Sequence, residues 1–159
     1  APWAEKRALP ATCPVIHVLL SSVCPYCKGF VRENMATLDR EGYVLRVHTV
    51  PSTSDTMDRL AEVAQRRDFA LAMRLQDRQP FAAPDARRAP DDRIDAFNAM
   101  LASSNSFRDF ARRRGVAGYT PGFLWQDRAG KWRMNFGYST AMMPKWRATL
   151  AQPGPECRR

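Results

Sequence analysis

The chain has 159 residues, of which 45% are hydrophobic, so its length and composition predict one compact domain and exclude a disordered chain. No apolar run approaches the roughly 20 residues of a membrane helix, so no segment of the sequence is predicted to span a membrane. The formal net charge is +9, but the arginines are spread along the chain and no nucleic-acid-binding motif accompanies them. We therefore interpret the charge as a solvated basic surface and expect no nucleic-acid partner.

The first part of the chain predicts a strand, a helix and a second strand. Residues 1–12 are polar and contain two prolines, which indicates an extended arm. The apolar run Val15–Leu20, bounded by a proline and two serines, predicts a buried strand. A helix is predicted from Pro25 to about Arg40, with a stop at Gly42, and a strand is predicted over Tyr43–Val50.

The middle of the chain predicts a helical insertion over about residues 52–114. It comprises a helix from about Thr56 to Arg74, a loop over Gln79–Asp92 rich in proline, alanine and arginine, and two helices at about Arg93–Ala102 and Ser104–Arg114. Because the strands needed to complete the sheet follow this segment, we interpret residues 1–159 as a single domain.

The last third predicts a β-hairpin and a closing helix. Phe123–Trp125 and Trp132–Phe136 are predicted strands, joined by a turn at Asp127–Gly130, and a helix is predicted from about Thr140 to Ala151. The resulting order is that of an α/β fold, in which a helix crosses between parallel strands and an antiparallel hairpin ends the sheet.

Cys24 and Cys27 belong to a Cys-Pro-Tyr-Cys sequence between the first predicted strand and the first predicted helix. The unpaired N–H groups and the positive dipole end of a helix N-terminus stabilise a thiolate at the first cysteine. Cys27, one turn further on, can attack a mixed disulfide and release the partner. We interpret Cys24 as the nucleophile and Cys27 as the resolving thiol. A metal site on this pair needs two more ligands at suitable spacing, and none is present, so no metal or other cofactor is predicted.

The remaining cysteines and the two histidines have other predicted roles. Cys13 precedes the first predicted strand and Cys157 follows the last predicted helix. Since an even number of cysteines suits an oxidising compartment, we predict that these two form a structural disulfide. His17 and His48 lie on predicted strands, apart from the cysteine pair in the sequence, and we interpret them as packed or hydrogen-bonded residues.

A proline before the third predicted strand completes a recognisable pattern. The segment Gly115–Pro121 reads Gly-Val-Ala-Gly-Tyr-Thr-Pro, and together with the Cys-Pro-Tyr-Cys sequence it resembles the thioredoxin superfamily, in which this proline is cis and packs against the active-site disulfide. The resemblance implies a thioredoxin fold with a helical insertion between the second and third core strands. It also implies a substrate groove bordered by Pro25, Tyr26, Tyr119, Thr120 and Pro121.

Within that superfamily the chain is most similar to the catalytic domains of the disulfide isomerases DsbC and DsbG. The matching segments are His17–Leu20, Cys24–Lys28 with Phe30, Val47–Pro51, Gly115–Pro121 and Gly137–Ser139. Thioredoxins carry a buried aspartate six residues before the first cysteine, whereas Val18 occupies that position here. Without the buried carboxylate, a more oxidising couple than thioredoxin is expected.

The resemblance implies a periplasmic thiol-disulfide oxidoreductase that acts on cysteine-containing proteins and depends on a redox partner of the DsbD or DsbB kind. The start Ala-Pro-Trp-Ala is compatible with a mature N-terminus after removal of a signal peptide. Because few residues precede Cys24, where DsbC and DsbG carry a dimerisation domain, a monomer with poor isomerase activity is expected, similar in size to conjugative-element proteins such as TrbB. The alternative is a peptide-binding or metal-binding component of a secretion or conjugation apparatus with little redox turnover.

Overall fold

In the computed structural model the described residues are 10–21, 24–50 and 90–158, without the side chains of residues 90–97 and 100. Most of the predicted N-terminal arm, the predicted helix Thr56–Arg74 and most of the predicted loop Gln79–Asp92 lie outside these residues. Among the described helices, none combines the length and the hydropathy that crossing a membrane requires.

Four strands form one mixed sheet in the order β2-β1-β3-β4. Their bounds are Val15–Ser21 for β1, Val44–Val50 for β2, Gly122–Gln126 for β3 and Trp132–Phe136 for β4. Strand β1 runs parallel to β2 and antiparallel to β3, and β3 and β4 form an antiparallel hairpin. The predicted α/β arrangement, with a helical crossover between parallel strands, is thereby confirmed.

The crossover from β1 to β2 is a continuous helical stretch with an irregular middle. Helix α1 spans Pro25–Phe30, a π-helical segment spans Val31–Met35, and helix α2 spans Ala36–Glu41. The stretch ends at Gly42, whose φ of 103° is a left-handed conformation that favours glycine. A Cβ on Gly42 would also lie 2.9 Å from the backbone of Cys157. Both the left-handed conformation and this close contact therefore require glycine at the predicted helix end.

Two apolar clusters cover the two faces of the sheet. The larger one lies on the face covered by α1 and α2, and the smaller one lies under a long helix, α3, which spans Pro90–Arg112. Alternate residues of β1 divide between the clusters, as expected for a strand buried on both sides. On the α1 face the sheet contributes Ile16, Val18, Leu20, Leu45, Phe123 and Trp125, and on the α3 face it contributes Leu19 and Leu124.

Helix α3 corrects the prediction of two helices separated near Ser103. Serines often cap the start of a helix, so a boundary at this position would not be unusual. In the structure, the buried Ser104 hydroxyl donates to the carbonyl of Leu101 within the same helix, at 3.1 Å. Ser103 forms a hydrogen bond with His48 on the sheet instead. Because both hydroxyls are occupied in this way, the helix continues through them.

The closing helix is shorter than the predicted Thr140–Ala151. Helix α4 spans only Met143–Arg147, with Pro144 in its first turn. It is followed by a bridge between Leu150 and Asp127, which draws the chain back to the sheet. The Thr149 hydroxyl donates to the carbonyl of Trp146 at 2.7 Å and accepts from the Trp125 indole at 3.0 Å. These tertiary contacts end the helix earlier than its sequence pattern indicates.

A disulfide joins the two ends of the described chain. Cys13 and Cys157 are both buried, their Cα atoms are 5.6 Å apart and their sulfurs are 2.05 Å apart. Cys157 belongs to a short 3-10 helix, Pro155–Cys157, which lies against Gly42 at the end of α2. The disulfide therefore closes a covalent loop that contains all four strands and the crossover helix, with a sequence separation of 144 between the two cysteines.

Replacement of both Cys13 and Cys157 by serine is expected to lower the free energy of unfolding by about 3–5 kcal/mol, because the open chain gains entropy mainly in its unfolded state. Urea unfolding of the wild type and the double variant, followed by tryptophan fluorescence, measures this difference. Equal stability of the two proteins would contradict the expectation, as would four titratable thiols in protein made under oxidising conditions.

Two histidines connect the sheet to α3 on the face opposite α1. His17 Nδ1 lies 2.9 Å from His48 Nε2, and His48 Nδ1 lies 2.6 Å from Ser103 Oγ. The His48 ring also packs beside Phe107 of α3, with centroids 5.5 Å apart. Burial, with the nearby positive charge of Arg46, lowers the pKa of His17 to about 4 and lowers the pKa of His48. Both imidazoles are consequently neutral at physiological pH, and their interpretation as packed, hydrogen-bonded residues is confirmed.

Acidification is expected to destabilise the protein through these histidines. Their folded pKa values lie below the ordinary 6.5, so their contribution to stability is present above pH 6.5 and is lost as the pH falls towards 4. Between pH 7.5 and 5.0 we expect a loss of about 1–2 kcal/mol, allowing for partial exposure. A variant with His17→Gln and His48→Gln should show a smaller loss in urea unfolding at the two pH values. An identical loss in the variant would rule the histidines out as its source.

Candidate active site

The end of β1 and the start of α1 together place Cys24. The Cys24 backbone is extended, with φ of −89° and ψ of 117°, and its N–H donates to the carbonyl of Ser21 at 3.2 Å. Its sulfur accepts a hydrogen bond from the backbone N–H of Cys27 at 3.3 Å, so Cys24 is the N-cap of the helix. Pro25 follows in the first turn, where a missing N–H leaves no helical bond unmade.

The two sulfurs of the pair differ in accessibility. Cys24 is half-buried, whereas Cys27 is completely buried beside Phe30 in the core on the α1 face. The backbone N–H of Ser21 donates to the Cys27 sulfur at 3.5 Å. Both cysteines are free thiols in this structure. The arrangement leaves one thiol within reach of another molecule and a second thiol directly behind it.

The two thiols also differ in pKa. Partial burial on its own raises the pKa of Cys24, but hydrogen bonds with the thiol and the backbone N–H of Cys27 more than offset it, so this pKa lies below its ordinary value. Burial, followed by the hydrogen bond with Cys24, raises the pKa of the Cys27 thiol to about 12. A thiolate therefore forms at Cys24 before it forms at Cys27, and the thiolate is the reactive species.

The core behind the cysteines contains no carboxylate among the residues that the structure describes. Val18, which stands where thioredoxins carry an aspartate, is fully buried in the same apolar cluster as Cys27. The buried polar side chains within the described ranges are Ser21, Thr49 and Ser104, none of which is ionisable. The Cys24 thiolate consequently faces no buried negative charge within this part of the chain.

The loop before β3 lies against the cysteine pair. The Thr120–Pro121 peptide bond is cis, Pro121 is buried, and the carbonyl oxygen of Thr120 lies 3.8 Å from the Cys24 sulfur. Tyr26 follows Pro25 in the helix and Tyr119 precedes Thr120 in the loop, and their exposed fractions are 65% and 58%. The fold thus brings together Cys24 and Thr120, which lie 96 residues apart in the sequence.

The structure adds residues to this region for which sequence analysis assigned no role. The N–H of Ser21 contacts the buried sulfur, and Tyr138 forms hydrogen bonds with Glu33 and Asn34 of the π-helical segment. The Gly137–Ser139 segment was part of the resemblance, and this was the one available signal for Tyr138. Nothing in the sequence distinguished Ser21 or Asn34. His17 and His48 lie on the opposite face of the sheet, under α3.

No protein-family model matches the chain, and no curated protein is significantly similar to it. Among solved structures, the DsbA of Chlamydia trachomatis has a TM-score of 0.53 at 13% sequence identity, over 87% of each chain. The thiol-disulfide exchange protein alpha-DsbA2 of Wolbachia pipientis has a TM-score of 0.49 at 13% identity, over 88% of this chain and 83% of that one. The oxidoreductase NmDsbA1 of N. meningitidis has a TM-score of 0.43 at 14% identity, over 82% and 78%.

The likeness to the Chlamydia protein shows that the chain has a thioredoxin fold, as the resemblance implied. Helix α3 lies between β2 and β3, in the predicted helical insertion. The Chlamydia protein is a DsbA, so the narrower resemblance to the DsbC and DsbG branch has no support from it.

Iodoacetamide is expected to alkylate Cys24 in the reduced protein much faster than Cys27, because only Cys24 combines exposure with a lowered pKa. A Cys27→Ala variant should accumulate mixed disulfides through Cys24, whereas a Cys24→Ala variant should not. Mass spectrometry of peptides after timed alkylation at pH 7 measures the alkylation rate of each cysteine. Mass spectrometry of the non-reduced variants detects the mixed disulfides. Faster labelling of Cys27 would reverse the assignment of the two thiols.

Proposed function

We propose that the protein is an enzyme, a thiol-disulfide oxidoreductase that exchanges disulfides with cysteine-containing proteins. The observation that carries this proposal is the half-buried Cys24 sulfur at a helix start, with the buried Cys27 thiol one turn behind it. This is the arrangement that a two-step exchange needs, because the first thiol must be reached by a substrate and the second must be withheld from it.

In the reductive direction, the Cys24 thiolate attacks a substrate disulfide and forms a mixed disulfide, and one substrate sulfur leaves as a thiolate. Cys27 then attacks the Cys24 sulfur, which closes the Cys24–Cys27 disulfide and releases the second substrate sulfur. The proton of Cys27 passes to one departing substrate thiolate, and the other thiolate takes from solvent the proton that Cys24 released on ionising. The substrate therefore gains two electrons and two protons in all. In the oxidative direction the same steps run in reverse.

The substrate is proposed to bind beside the loop before β3. Pro25 and Tyr26 border this region on the helix side, and Tyr119, Thr120 and Pro121 border it on the loop side. The two exposed tyrosines offer aromatic surface to a peptide, while the Thr120 backbone is already within 3.8 Å of the Cys24 sulfur. An extended chain lying along Thr120 would therefore pass close to the nucleophile.

The oxidative direction is favoured by the environment of Cys24. Its lowered pKa and the apolar Val18 behind the pair both stabilise the reduced, thiolate form, and a stabilised reduced form makes an oxidising couple. The Chlamydia protein that has a similar fold is itself a DsbA. We accordingly propose a dithiol oxidase of the DsbA kind in preference to a DsbC-like or DsbG-like isomerase.

An oxidising compartment such as the periplasm suits this activity. The buried Cys13–Cys157 disulfide is of the kind that persists outside the cytosol. We further propose that residues 1–159 act as one domain and as a monomer, with residues 52–114 as the helical insertion. A redox partner of the DsbB or DsbD kind is proposed to restore the oxidation state of the cysteine pair after each exchange.

Oxidation of reduced ribonuclease tests the proposed activity. The wild type, oxidised beforehand to its Cys24–Cys27 disulfide, should accelerate disulfide formation in ribonuclease. Cys24→Ser should abolish the acceleration, because no other described thiol is accessible. A Lys145→Ala variant, altered on the exposed face of α4, provides a matched control. An inactive wild type that binds copper or zinc stoichiometrically would instead favour the metal-binding alternative.

The reduction potential of the Cys24–Cys27 couple is expected to lie above the roughly −270 mV of thioredoxin and towards the roughly −120 mV of DsbA. Equilibration with glutathione buffers, read by mass after thiol alkylation, gives the value. A Val18→Asp variant should lower it, because a buried carboxylate opposes the thiolate. A wild-type potential at or below that of thioredoxin would contradict the oxidising assignment.

A further inference from the structure

Two consecutive residues after β4 contact both halves of the candidate active site. The backbone N–H of Gly137 donates to the carbonyl of Pro121 at 2.8 Å, on the loop half. The Tyr138 hydroxyl accepts a hydrogen bond from Asn34 Nδ2 at 2.7 Å and donates to the carboxylate of Glu33, on the helix half. A path of two hydrogen-bonding residues therefore joins the loop to the helix that carries the cysteines.

The Tyr138 ring also rests on the active-site helix. It packs edge-to-face against Phe30, with ring centroids 5.8 Å apart. It lies beside Gly29 so closely that a Cβ on this glycine would be 3.4 Å from the ring. Phe30 in turn contacts Phe123 of β3, with centroids 4.8 Å apart. The small residue at position 29 lets the tyrosine approach the helix two residues after Cys27.

The hydroxyl contacts fall on the irregular part of the helix. Glu33 and Asn34 both belong to the π-helical segment Val31–Met35, which separates α1 from α2. Single π-helical turns inside α-helices are frequently found at functional sites. Here the turn brings two neighbouring polar side chains to one hydroxyl group, which donates to one of them and accepts from the other. The π-helical segment that continues α1 is thereby joined to the residues just after β4 by specific polar contacts, in addition to the packing of Tyr138 on Phe30.

Disulfide exchange with a peptide depends on the distance between the helix and the loop. A bound peptide takes its position from the loop, whereas the attacking sulfur takes its position from the helix. In the structure the loop and the helix approach each other at the Thr120 carbonyl oxygen and the Cys24 sulfur, which are 3.8 Å apart. Displacements of about 1 Å between reacting groups are enough to slow a reaction severely.

We propose that Tyr138 is a positioning residue, whose hydroxyl holds the active-site helix at the correct distance from the Thr120–Pro121 loop for attack on a peptide disulfide. This inference rests on the proposed function. It assigns to Tyr138 no contact with the reacting sulfurs, and it concerns only substrates that occupy both the helix half and the loop half of the site.

A Tyr138→Phe variant tests the proposal, because it keeps the ring and removes the hydroxyl. The second-order rate of exchange with a glutathionylated fluorescent peptide should fall about tenfold. The rate of Cys24 alkylation by iodoacetamide should stay within about twofold, since the hydrogen bonds that favour the Cys24 thiolate come chiefly from Cys27. A residue with a merely structural role would change both rates together or neither of them.

Two further variants sharpen the result. Asn34→Ala removes the other side of the contact and should slow peptide exchange in the same way, while the double variant should be no slower than either single one. Tyr43→Phe removes the hydroxyl of a buried tyrosine that follows α2 at the opposite end of the helical stretch, and peptide exchange should remain normal. Additive effects of the two site substitutions, or equal slowing by Tyr43→Phe, would overturn the positioning role.

The two proposals fail differently. A wild type that reacts with iodoacetamide but not with the peptide disulfide contradicts the proposed function itself. A wild type that exchanges with the peptide, together with a Tyr138→Phe variant that does so at the same rate, leaves the function standing and overturns the role of Tyr138.

Discussion

The hydrogen bond from the Cys27 backbone N–H to the Cys24 sulfur is the contact on which the candidate site depends. It exists because the chain changes from strand to helix within a few residues, so that the first cysteine caps the helix with its side chain. The same geometry buries Cys27 one turn further on. Unequal exposure and unequal pKa values of two identical side chains then follow from their places at the helix end.

The sheet separates the cysteine pair on its α1 face from the histidine contacts on its α3 face. On the α1 face, β1 contributes alternate apolar residues to the cluster that contains Cys27, among them Val18, which stands where thioredoxins carry an aspartate. On the α3 face the same strand contributes His17, which pairs with His48 and through it with Ser103. The period of two along a strand allows one segment to contribute both to the apolar core behind the cysteine pair and to a polar contact with a helix.

Several interpretations depended on polar residues whose partners are remote in the sequence. A helix boundary was predicted between Ala102 and Ser104, yet Ser103 bonds to His48, Ser104 bonds to Leu101, and the helix continues through both serines. The closing helix ends early because Leu150 pairs with Asp127 and Thr149 bonds to Trp125. The strands and the Gly42 stop were predictable, because apolar runs, turn residues and a left-handed glycine are local signals.

The sequence by itself determined the strand order along the chain, the cysteine pair at a helix start, and the absence of a carboxylate at Val18, because spacing and residue type suffice for these. The place of Thr120 beside Cys24 was implied by the family resemblance and is seen in the tertiary structure. Only the tertiary structure decided that Ser21 contacts Cys27 and that Tyr138 bonds to Asn34 of the π-helical segment. Each of the two longer-range contacts, from Thr120 and from Tyr138, joins residues roughly a hundred positions apart. Pairs of this kind are set by the packing of helix against sheet, which no local pattern encodes.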